Sequence, residues 1–128
     1  MILHIDDDDD DRDMLESAFQ NIRPEVTVVP ARDGRAGVAY LENAKVAQSL
    51  PRLVVLDINM PVLDGRKTLE LIRADNYFNK LPIVIFTSSS NKVDRDFFAS
   101  RAAEFIIKSS SLADLNNIAR QLLNYCHG

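Results

Sequence analysis

Cysteine is almost absent from this chain: Cys126 is the only one in 128 residues. A lone cysteine cannot close an internal disulfide, which excludes a disulfide-stapled secreted domain and fits a reducing, cytoplasmic compartment. A basic excess is also missing, since 15 Lys and Arg stand against 19 Asp and Glu for a net charge of -4. That balance argues against nucleic acid, whose phosphates demand a basic face. No apolar run approaches the roughly 18 residues that a membrane-spanning helix needs. The opening Met1-Ile2-Leu3-His4-Ile5 lacks the basic flank and the length of a signal peptide and runs straight into acid. Linkers, repeats and composition breaks are missing too, apart from an aspartate run at 6–11.

What is present fits one ordinary soluble domain, expected over residues 1–128. A chain of this length buries about two-thirds of its unfolded surface, enough for a core without staples. Short apolar runs alternate with longer segments of helical period. The runs are Ile2–Ile5, Val26–Val29, Leu53–Leu56, Pro82–Phe86 and Phe105–Ile107. They are rich in Val and Ile and continuous in polarity, as strands buried on both faces of a parallel sheet are. Helices are expected over 9–21, 34–44, 66–74, 92–101 and 112–125, the last with the cleanest spacing, through Leu115, Ile118, Ala119, Leu122 and Leu123. Five strands alternating with five helices give an α/β, doubly wound, five-stranded parallel sheet with helices on both faces. Right-handed crossovers leave few topologies, of which the order 2-1-3-4-5 is favoured.

In such sheets ligands bind outside the carboxyl ends of the strands, near the point where strand order reverses. Asp6 and Asp7 follow the first run, Asp57 the third, Thr87 the fourth and Lys108 the fifth. The second run leads into Pro30-Ala31-Arg32 and offers nothing comparable, as suits an edge strand. Three crowded carboxylates raise one another's pKa or hold a cation between them. Oxygen-only ligands select a hard ion such as Mg²⁺ or Mn²⁺. Asp57 then serves as nucleophile towards a phosphoryl group, with Lys108 and the Thr87 hydroxyl on its oxygens.

Taken together, Asp6-Asp7, Asp57-Ile58-Asn59-Met60-Pro61 with Asp64-Gly65, Thr87-Ser88-Ser89 and Phe105-Ile106-Ile107-Lys108 resemble the receiver domain of two-component response regulators, of the single-domain, chemotaxis-regulator kind. The resemblance spans the whole chain with its four motifs in order. The connection before the third strand and the Asn91–Phe98 stretch are similar to the small regulators paired with bacterial phytochromes. The resemblance implies a flavodoxin-like fold and a phosphoryl-accepting switch rather than an enzyme. It implies Asp57 as phosphoacceptor and a metal held by Asp7, Asp57 and the backbone carbonyl of Asn59, with Asp6 acting through water. Thr87, Ser88, Lys108 and the rotating aromatic Phe105 form the switch. A sensor histidine kinase or phosphotransfer protein supplies the phosphoryl group. A downstream partner or a second copy docks on the 92–125 face, where Lys92, Arg95 and Arg101 surround apolar positions.

Other readings attach to several of these residues. Asp8 to Asp11 suit the cap and first turn of the first helix, where negative charge complements the helix dipole. A calcium loop is excluded, because Asp11 stands where glycine is needed and Ser17 where glutamate is. Asp64 reads as turn-forming and Gly65 as the source of backbone freedom. Ser90 or Asn91 caps the fourth helix. His4 is structural and His127 does nothing specific. Two residues depart from the family pattern: Ser109 replaces the proline after the lysine, which puts the aim of Lys108 in doubt, and Arg101 replaces a helix-ending glycine, where positive φ is costly. An aspartate-dependent phosphatase wants a second aspartate where Asn59 stands, and a flavin or nucleotide carrier wants a phosphate cradle in place of the aspartate run. A receiver-like binding module that no longer relies on phosphorylation stays open as the alternative. Only His127-Gly128 follows the last helix, so no output domain is expected.

Overall fold

The computed structural model describes residues 1–89 and 91–126; Ser90 and His127 lie outside them. Five strands, β1 (Ile2–Ile5), β2 (Val28–Ala31), β3 (Leu53–Leu56), β4 (Ile83–Thr87) and β5 (Glu104–Ile107), form one parallel sheet in the order β2-β1-β3-β4-β5. The helices between and after them are α1 (Asp9–Ile22), α2 (Gly34–Val46), α3 (Gly65–Ala74), α4 (Lys92–Ala99) and α5 (Leu112–Asn124). A one-turn 3₁₀ helix, Asn76–Phe78, had no counterpart in the sequence pattern; it places Phe78 in the core.

Side chains alternate across each strand and so divide the core in two. Leu3, Ile5, Val54, Leu56, Ile83 and Ile85 face Leu41 of α2, Leu69 and Ile72 of α3 and Phe98 of α4. Ile2, Leu53, Val55, Val84, Phe86 and Ile106 face Leu15, Ala18 and Phe19 of α1 and Leu115, Ala119 and Leu122 of α5. The central strands β1, β3 and β4 are therefore buried on both sides, which is why they read as unbroken apolar runs.

Four expectations change. The second strand runs two residues later than expected, because Pro30 is inside it, paired with His4. Proline cannot donate to a ladder, but β2 is an edge strand with one side free. The fourth helix ends at Ala99, and the left-handed residue after it is Ala102, with φ 57°, not Arg101. Gly65 has no positive φ and supplies close approach instead of backbone freedom. Asp64 is the N-cap of α3, its carboxylate accepting from Lys67 N. The Lys108–Ser109 peptide bond is trans.

Candidate functional site

The carboxyl ends of β1, β3, β4 and β5 bring together the residues that sequence position placed there. Asp6, Asp7 and Asp57 can each direct an oxygen to within 4.8 Å of the others. Asp6 is fully buried, Asp57 is 7 % exposed, and Asp7 faces solvent. The pocket is therefore closed beneath and open above, and its oxygen-only donor set suits a hard divalent cation that keeps several waters. Asn59 is exposed at the same rim, in the loop after β3.

Backbone interactions fix the phosphoacceptor candidate before any side chain contributes. Asp57 N donates to Ile5 O at 3.0 Å, joining β3 to β1. Its Oδ1 accepts from Ile58 N at 2.8 Å, which orients the carboxylate. Gly65 N donates to Ile58 O at 2.8 Å, folding the loop back. A Cβ at Gly65 would come within 2.3 Å of Asp57 O, so any larger residue displaces the backbone that carries the carboxylate.

Lys108 resolves the doubt over its aim. Its ammonium donates to Asp57 Oδ2 at 3.0 Å and to Asp11 Oδ2 at 2.7 Å. It also lies 2.8 Å from Asp6 Oδ2, an ionic contact off the hydrogen-bonding direction that leaves this buried oxygen without a donor among the described residues. Burial opposes the lysine's charge, but the hydrogen bond to Asp11, the close contact with Asp6 and the Asp57 charge outweigh it and raise its pKa. Burial pushes the Asp6 pKa up to about 6, held back by Lys108 and by the Asp8 amide. The rise is thus chiefly an effect of burial, and the repulsion expected from crowding adds the least, through Asp57.

Thr87 is fully buried at the end of β4, its Oγ1 accepting from Ser89 N at 3.4 Å and its carbonyl from Lys108 N at 2.8 Å. Ser88 is exposed beside it. Asn91 caps α4, accepting from Val93 N. Phe105 is half-buried on β5, 6.3 Å from the Phe98 ring, with the Arg95 guanidinium 5.4 Å from its centroid.

Three features escaped the sequence reading. Asp11 does more than complete the first turn of α1, since it holds Lys108 across 97 positions of sequence. Asp94, 7 % exposed, pairs with Arg66 and accepts from the Ser89 hydroxyl, tying α4 to the start of α3 beside the pocket. Arg12 donates to the Asp6 carbonyl and pairs with Asp9. Asp8 caps α1, accepting from Asp11 N, and Asp9, Asp10 and Asp11 stand in its first turn, as expected.

Residues 2–120 match the response regulator receiver domain family. The chain is 29 % identical over 120 residues to the response regulator Rcp1 of Synechocystis sp., covering 90 % of this chain and 80 % of that protein. Its fold is similar to that of the phosphorylated cyanobacterial phytochrome response regulator RcpA, with TM-score 0.86 and 29 % identity over 97 % of this chain and 91 % of that one. The Mn²⁺-bound form of Rcp1 gives TM-score 0.81 and 27 % identity over 94 % and 88 %. The topology, the acidic pocket beneath Lys108 and these likenesses converge: the chain belongs to the response regulator receiver domain family, the phosphoryl-accepting switches of two-component signalling.

Proposed function

We propose that Asp57 is the phosphoacceptor, that Mg²⁺ or Mn²⁺ is held by Asp7, Asp57 and the Asn59 carbonyl with Asp6 acting through water, and that the donor is a phosphohistidine on a sensor kinase or phosphotransfer protein. The observation that carries this reading is Lys108 lying 3.0 Å from Asp57 Oδ2 while Ile58 N holds Oδ1. Oδ2 is then the oxygen that Lys108 can release to react. It forms the new P–O bond as the P–N bond to the donor imidazole breaks. The cation supplies charge neutralisation at the transferred group. Lys108 follows the phosphoryl oxygens, and Thr87, with Ser88 beside it, donates a hydroxyl hydrogen bond to one of them. The domain in this way assists its own phosphorylation and hydrolysis without acting on a separate substrate, in the cytoplasm, with residues 1–128 as one receiver unit.

Movement of Thr87 towards Asp57 vacates space beside β4 and β5. Phe105, which lacks a hydroxyl, then turns inward and leaves the Arg95 guanidinium, altering the 92–125 face. A downstream protein or a second copy reads that face.

Incubation with Mg²⁺ and a small acyl phosphate tests the reading. The wild type gains the mass of one phosphoryl group, labile at alkaline pH, and Asp57→Ala gains none. A wild type that gains no mass, or an Asp57→Ala that gains it equally, contradicts it.

A further inference from the structure

Beneath the acidic pocket sits a buried residue that the phosphoryl chemistry leaves unused. His4 is fully buried in β1, flanked by Leu3 and Ile5 and paired with Val55 on β3. Neither ring nitrogen has a hydrogen-bond partner among the described residues. A buried polar atom without a partner is costly, and an apolar side chain would fill this place more cheaply. The ring points along the sheet at the pocket: Nε2 lies 3.8 Å from Asp6 Oδ2, just beyond hydrogen-bond reach. Asp6 Oδ2 is itself the buried oxygen that has only the misaligned contact with Lys108.

These two orphaned atoms face each other, and the reaction draws away the ammonium that lies against one of them. Lys108 now serves three carboxylates. When its ammonium follows a phosphoryl group, Asp6 Oδ2 loses the ammonium now against it while remaining buried. We propose that His4 is a positioning residue of the phosphoryl-transfer site: its Nε2–H donates to Asp6 Oδ2 once Lys108 turns from that oxygen to a phosphoryl group on Asp57. The hand-over keeps the Asp6 carboxylate aimed at the metal-bound water and spares it an unpaired buried charge. As a neutral imidazole the ring carries one N–H to give. This inference rests on the proposed phosphorylation of Asp57.

The test uses the whole chain with Mg²⁺ and beryllofluoride as phosphoryl mimic, His127→Gln being the background in which His4 is the only histidine. His4→Val removes two unsatisfied buried nitrogens, so it unfolds at higher denaturant than its parent. It also binds beryllofluoride on the order of tenfold more weakly, the worth of one hydrogen bond to a charged group. His4→Gln, whose amide can donate, recovers part of that loss. A histidine that only filled space would move stability and adduct affinity in the same direction. In ¹⁵N spectra the Nε2–H proton moves downfield and exchanges more slowly when the adduct forms. Adduct affinity unchanged in His4→Val, or an Nε2–H that does not respond, overturns the proposal while leaving Asp57 chemistry intact. A nitrogen coupling of directly bound strength to Mn²⁺ overturns it in favour of ligation by His4. Failure of the parent to bind beryllofluoride overturns this proposal together with the phosphorylation reading.

Discussion

Asp11, in the first turn of α1, accepts a hydrogen bond at 2.7 Å from the ammonium of Lys108, at the end of β5. The lysine is thereby shared between the phosphoacceptor candidate and a carboxylate outside the metal trio. Moving Lys108 onto a phosphoryl group requires breaking this pair. Asp11 is one-third exposed, which limits its worth to about 0.2–1 kcal/mol. Asp11→Ala therefore binds beryllofluoride more tightly, by up to about fivefold, as measured by titration at low salt. Weaker binding in Asp11→Ala shows instead that Asp11 helps to aim the lysine.

The aspartate run separates cleanly by position. Asp7 joins the group that converges on one point, whereas Asp9 lies on α1 paired with Arg12. Asp7→Ala weakens Mn²⁺ binding at least about tenfold, and Asp9→Ala leaves it nearly unchanged. Equal losses in the two variants contradict the ligand assignment.

Gly65 couples stability to the site through space alone. Its added Cβ would meet Asp57 O at 2.3 Å and Ile58 Cα at 2.8 Å, both backbone atoms that cannot swing aside. Gly65→Ala costs about 1–3 kcal/mol of folding stability and slows phosphorylation by acyl phosphate, because relief of the overlap shifts Asp57. Denaturant unfolding with the rate of mass gain measures both. A stable Gly65→Ala with normal phosphorylation shows that the loop adapts.

On the opposite end of the sheet, Asp75 caps the 3₁₀ helix through Tyr77 N and pairs with Lys45 of α2 at 2.8 Å. The Lys45 hydrogen bond, then the Tyr77 amide, lower the Asp75 pKa below its ordinary 3.8. A carboxylate with a lowered folded-state pKa stabilises the fold above its unfolded value, and the benefit is lost as pH falls through the folded one. Asp75→Asn is therefore less stable than wild type at pH 7, with the difference shrinking below about pH 3.8. A difference independent of pH assigns the effect to the cap instead of the charge.

Strands β1 and β3 were legible to the residue because both faces of each are covered, so burial writes itself into unbroken apolar runs. The register of β2 was not, since Pro30 signals a strand end until the strand is known to be an edge. The acceptor, trio and lysine were legible from their places after strand ends. Asp11 with Lys108 and Arg66 with Asp94 were not, because each pair joins helices or loops distant in sequence, and local spacing says nothing of which helix faces meet. His4 read as structural for the same reason: its interest lies in what the fold leaves unpaired beside it.

Reduction of the acyl phosphate by borohydride converts the phosphorylated aspartate to homoserine and so marks the acceptor chemically. After treatment with acyl phosphate and Mg²⁺, peptide mapping of the reduced chain should find homoserine at position 57 alone. Homoserine at position 6, 7 or 11, or none in a chain that has gained the phosphoryl mass, would contradict the assignment of Asp57 as the phosphoacceptor.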